Sequence, residues 1–96
     1  MINRLSNYKI KVNSEAVASI HDDAMKLLHT RNGRLFSSNR TGAFIWRCIE
    51  QQLSLEAIAE KISSEYQIAR TTALDHAARF LAELERHGLI QPEAKS

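Results

Sequence analysis

The chain has 96 residues, 44% hydrophobic and 25% charged, with a net charge of +2 and one cysteine. That is too apolar for a disordered chain, and the length suits one domain with a modest core and little room for an enclosed catalytic cavity. Cys48 alone can build neither an intrachain disulfide nor a cysteine-based zinc site, the opening MINRLSNYKIKVNSE lacks a signal-peptide apolar region, and no apolar run approaches the roughly 18 residues of a bilayer span, so a cytoplasmic location is expected.

In chain order, Tyr8, Ile10 and Val12 alternate like a strand, and a second extended segment covers about Ala16 to Ile20, with His21-Asp22-Asp23 as its turn. Arg31-Asn32-Gly33-Arg34 is the clearest local signal. Asn-Gly supplies the two positive-φ residues of a type I′ turn, predicting a hairpin with arms Met25 to Thr30 and Arg34 to Ser38 that pairs Thr30 with Leu35 and His29 with Phe36. The pattern then changes to a helical period. Ala43, Ile45, Trp46, Ile49 and Leu53 predict a helix from about Thr41 to Gln51, capped by Asn39 or Thr41. Ser54 caps a second helix with Leu55, Ile58, Ala59, Ile62 and Tyr66 on one face. A third spans Arg70 to His87, with Ala73, Ala77, Phe80, Leu81 and Leu84 as its stripe, and stops at Gly88, where Leu89 can fold back onto Leu84. Three strands of antiparallel sheet followed by three helices is an α+β, winged-helix-like arrangement in which the helices must cover one face of the sheet. Residues 1–15 read as a partly flexible extension, 16–90 as the domain and 91–96 as a tail.

Residues 1–40 carry seven Lys/Arg against three Asp/Glu, and residues 41–96 carry six against eight. The basic half is the strand half; it can attract an acidic peptide or a phosphate backbone, although such imbalance is common on solvated surfaces. His21, His29, His76 and His87 form no HxxxH pair and no His–Cys pair, and are read as solvated. Neither a G-x-S-x-G elbow nor a phosphate loop is present. Asp22-Asp23 reads as a turn, since neighbouring residues of a strand point to opposite faces. No catalytic residue, metal ligand or cofactor is expected. A small winged-helix DNA-binding or regulatory domain is the alternative, but in a winged helix the hairpin usually follows the recognition helix, and here the sheet comes first. The last helix balances Arg70, Arg79 and Arg86 against Asp75, Glu83 and Glu85.

Leu27 to Trp46 with its Asn-x-Thr-Gly-Ala-x-x-Trp helix opening, the segment Ser54-Leu-Glu-Ala-Ile-Ala-Glu-Lys-Ile-Ser-Ser-Glu-Tyr66, and the closing Leu84-x-x-His-Gly-Leu-Ile90 together resemble the PqqD-like family over about Ala16 to Ile90. The resemblance implies a non-catalytic recognition element that binds the leader of a ribosomal precursor peptide by strand addition and presents it to a maturation enzyme, whether radical-SAM enzyme, cyclase or leader peptidase. No nucleic acid or membrane is implied as a partner. Carried onto this chain, the receiving edge is Arg34, Leu35, Phe36, Ser37 and Ser38, and the other wall of the groove is Thr72, Asp75, His76, Arg79, Phe80 and Glu83. Arg34 and Arg79 can pair with acidic leader residues or stay solvated, while Phe36 and Trp46 read as core. An unpaired edge can equally pair with its own copy, so a homodimer is open. The family usually has a large aliphatic residue where this chain has Ser38; the smaller side chain either thins the core beneath the edge or opens a small pocket.

Overall fold

The structure, a computed structural model, describes residues 9–22 and 24–93. Tyr8, Asp23 and the outer parts of the two terminal segments lie outside the described residues. Five strands and three helices follow in the order β1 Lys9–Val12, β2 Ala16–His21, β3 Ala24–His29, β4 Leu35–Ser38, α1 Arg40–Glu50, α2 Leu55–Tyr66, α3 Arg70–Arg86 and β5 Ile90–Glu93. The expected three-stranded antiparallel sheet is β2-β3-β4, followed by the three helices. β1 pairs antiparallel with β5 in a separate ladder, Ile10 opposite Pro92 and Val12 opposite Ile90, so ordered pairing extends past Ile90.

The starts of α1 and α2 and the end of α3 have identifiable reasons. The Asn39 side chain accepts from the Gly42 N–H at 3.1 Å, and Ser54 Oγ accepts from the Ala57 N–H at 3.2 Å, each satisfying an otherwise unpartnered donor of the first turn. α3 ends as expected at Gly88, φ +74°. The Leu89 N–H reaches the Leu84 carbonyl and the Gly88 N–H the Glu85 carbonyl, both at 2.9 Å, the bonding of a Schellman motif, and it buries Leu89 in the core with Leu84.

Strand alternation sorts β3 cleanly: Met25, Leu27 and His29 are buried, while Ala24, Lys26 and Leu28 face outward. α1 packs against β3, β4 and β1, and α3 against α2 and β5, enclosing a core that includes Trp46, Ile49, Ile58, Leu81 and Ile90. Trp46 is core, as read from the sequence, although its indole Nε1 is buried without a partner.

Two local expectations are corrected. The hairpin pairs Leu28 with Leu35 and Leu27 with Phe36, two residues out from the predicted register, and of the turn pair only Gly33, φ +73°, takes positive φ. Asn32 acts through hydrogen bonds instead. Its Oδ1 accepts from the Arg34 N–H at 2.9 Å and its N–H donates to His29 Nδ1 at 3.4 Å, while the Gly33 N–H reaches the His29 carbonyl at 2.8 Å and the His29 N–H the Arg34 carbonyl at 2.9 Å, closing a loop of four residues. A shift of two leaves every side chain on its predicted face. The second correction is His29, which is 7% exposed rather than solvated because it shares the parity of Met25 and Leu27.

Candidate peptide-binding groove beside strand β4

β4 has β3 on one side and, among the described residues, no strand on the other. The His29 N–H bonds to the Arg34 carbonyl at 2.9 Å, so the alternation of an antiparallel ladder directs the backbone groups of Phe36 and Ser38 toward β3 and those of Leu35 and Ser37 toward the open edge. Leu35 and Ser37 therefore offer two N–H donors and two carbonyl acceptors in a row. That is the template an extended chain needs.

Beside this edge lies a depression of about 460 Å³ lined by Ser38, Asn39, Thr41, Gly42, Ile45, His76, Arg79, Phe80 and Glu83. One wall is α3 and the floor is the first turn of α1. The two are brought close because Gly42 carries no side chain: a Cβ there would overlap Ser38 Oγ and Cβ and come within 3.0 Å of the Phe80 ring. Ser38 lines this depression, with its side chain packed on Gly42. Phe36, half-buried, packs edge-on against Phe80 with ring centres 5.9 Å apart and against His87 at 5.2 Å, joining the inner face of β4 to α3.

The predicted residues divide into three groups. Ser38, His76, Arg79, Phe80 and Glu83 meet in the depression, and Arg34, Leu35, Phe36 and Ser37 run along the edge strand and its lead-in. Thr72 and Asp75 are exposed on α3 outside that lining, and Asp75 holds Arg79 in an exposed ion pair at 3.1 Å. Glu83 is likewise engaged, by Arg86 at 2.6 Å. Sequence reasoning missed Asn39, Thr41, Gly42 and Ile45. A glycine inside the first turn of an otherwise well-formed helix signals close approach by a neighbour, and that signal pointed to them.

Other depressions lie across α1, including one lined by Phe44, Arg47, Cys48, Gln51, Lys61, Ser64 and Glu65, but none of its lining residues belongs to a strand. Burial pushes the Cys48 thiol up from its ordinary pKa, an effect partly offset by the Lys61 ammonium, so this cysteine is held protonated. Among the described residues no three His, Cys, Asp or Glu side chains gather as a metal site would need, and no helix is long and apolar enough to cross a membrane.

Comparison with curated protein sequences gives no significant match. Among solved structures, TbiB1 in complex with the TbiA(beta) leader peptide is similar over 88% of this chain and 99% of its own, with 29% identity and a TM-score of 0.81. A lasso peptide synthetase B1 complexed with the leader peptide matches over 86% of this chain and 98% of its own, with 28% identity and a TM-score of 0.79. The family model for coenzyme PQQ synthesis protein D (PqqD) matches residues 25–90. With the strand order, the closing turn of α3 and the groove in place, the chain belongs to the PqqD family.

Proposed function

We propose that this chain is a peptide-binding adaptor that takes the leader of a ribosomally made precursor as a further strand on β4 and presents it to a separate maturation enzyme, performing no chemistry itself. The observation that carries this is the open β4 edge running beside a groove against α3. Backbone bonds from Leu35 and Ser37 supply sequence-tolerant affinity, and the groove selects side chains. Both neighbours, similar over nearly their full length, are complexes with leader peptides.

In this reading Ser38, His76, Arg79, Phe80 and Glu83 contact leader side chains, with Arg34 at one end of the strand and Thr72 and Asp75 at the rim. The client enzyme is of the radical-SAM, cyclase or leader-peptidase class. Precursors leave the ribosome in the cytoplasm, so the encounter takes place there. A second copy can occupy the same edge only in place of the leader, which makes any homodimer a competitor of the peptide. Nucleic-acid recognition fits less well. Arg79 and Arg86, which would face phosphates, are each held by a carboxylate of α3 itself.

The test is an NMR titration of ¹⁵N-labelled protein with the N-terminal segment of a short precursor-like reading frame encoded beside the gene. Shifts should fall on Leu35 to Ser38 and on His76 to Glu83. Shifts confined to the α1–α2 side, or saturable binding of duplex DNA, would sink the proposal.

A further inference from the structure

The outward face of the three-stranded sheet carries an exposed apolar row. Val17 on β2, Leu28 on β3 and Leu35 on β4 are direct cross-strand partners, Val17 opposite Leu28 and Leu28 opposite Leu35, and they are 53%, 40% and 59% exposed. The next row on the same face is polar: Ser19, Lys26 and Ser37, again in register. Exposed apolar side chains leading to an open sheet edge invite aggregation, and edges are ordinarily blunted with charge. Here the row runs uninterrupted to the edge, and its last member, Leu35, is the most exposed of the three.

An antiparallel strand added to β4 continues both rows. Leu35 has its backbone groups directed to the edge, so the incoming residue opposite it exchanges both backbone bonds with it and projects its side chain to the same outward face. Two residues earlier in the incoming chain, the residue opposite Ser37 continues the polar row. The residue between them faces Phe36 and turns inward toward α3. Only the inward position enters the groove. The outward one meets Leu35, whose own neighbour Leu28 extends the apolar surface behind it.

We infer that Leu35 is a specificity-determining residue that reads one leader side chain on the outer face of the sheet, favouring a β-branched or aromatic residue directly opposite it, independently of the groove. This rests on the strand-addition reading above. It differs from that reading in placing a recognition position on the opposite side of the bound strand.

The experiment selects a displayed library of randomised twelve-residue linear peptides against the wild-type protein and a Leu35→Ser variant in parallel. Leu35 is exposed, so the variant folds, and its circular dichroism melt checks this. Wild-type pools should show an inward anchor followed at once by Val, Ile, Phe or Tyr. On Leu35→Ser the anchor should persist and the residue after it should become unrestricted. For the best single peptide, replacing that residue by Ser should weaken binding to the wild type about twofold to fivefold and leave binding to Leu35→Ser within error, a coupling that a role in sheet stability alone does not produce. The same preference in both pools overturns the inference while leaving strand addition standing. Recovery of no strand-like consensus on the wild-type protein overturns both.

Discussion

At Gly42 two effects of opposite sign compete. Replacing a helical glycine by alanine ordinarily stabilises by about 0.5–1 kcal/mol. The added Cβ, however, would overlap the Ser38 side chain, and overpacking of this kind costs about 1–3 kcal/mol. The clash should win, since Ser38 Cβ is anchored to the edge strand and cannot rotate away. Gly42→Ala is expected to lower stability by about 1 kcal/mol in urea unfolding and to weaken leader binding, and adding Ser38→Gly should recover part of the loss. A more stable Gly42→Ala protein would contradict the packing described. Cys48 gives a second check at this scale. With its pKa raised by burial, the folded chain holds the thiol proton more tightly than the unfolded chain does. That contribution to stability is complete below the unfolded thiol's pKa and fades as pH rises toward the folded value. The thiol should react with a disulfide reagent at pH 8 far more slowly than a free cysteine, quicken with urea, and lose part of its protection above pH 9.

The hairpin shows what an element's own sequence can and cannot specify. Alternation over residues 25–38 announced two strands and their faces, and the faces held because the register moved by two. The register itself depended on bonds to His29: its buried ring takes the Asn32 N–H, and its carbonyl takes the Gly33 N–H. A dipeptide turn rule contains neither. The same ladder yields a selective disruption of function. Proline at position 37 removes a donor directed to the open edge and not to β3, a placement edge strands tolerate. Ser37→Pro should leave the melting temperature within a few degrees of wild type yet weaken leader binding about tenfold, from one lost hydrogen bond plus the obstructing ring. Proline at position 36 has the opposite outcome, since it breaks the β3–β4 ladder and destabilises the domain. Equal binding by Ser37→Pro and wild type would place the peptide elsewhere.

At the scale of the whole molecule, the helices and their stripes were legible because each carries its period and at least one cap locally, whereas the β1–β5 ladder was not. Its strands are separated by the 77 residues that lie between Val12 and Ile90, each has only four residues, and β5 contains a proline that reads as a strand breaker. What joins this ladder to the main sheet is Asn13. Its Oδ1 accepts from the Glu15 N–H at 2.8 Å and its Nδ2 donates to the Gly88 carbonyl at 2.8 Å, facing His29 Nε2 at 3.5 Å. One side chain therefore links the β1–β2 loop, the end of β3 and the closing turn of α3. Aspartate at this position keeps the acceptor for Glu15 but loses the donor and sets a carboxylate against the Gly88 carbonyl. Asn13→Asp should cost about 1–2 kcal/mol, a fall of roughly 4–16 °C in melting temperature for a domain of this size. Hydrogen exchange should accelerate first at the Asn13 amide and along β1–β5, and less at the Phe36 and Ser38 amides, because β4 pairs with β3 and not with that ladder. Leader affinity measured well below the melting temperature should then match wild type. A parallel loss of binding would instead make the terminal ladder a mechanical support of the groove.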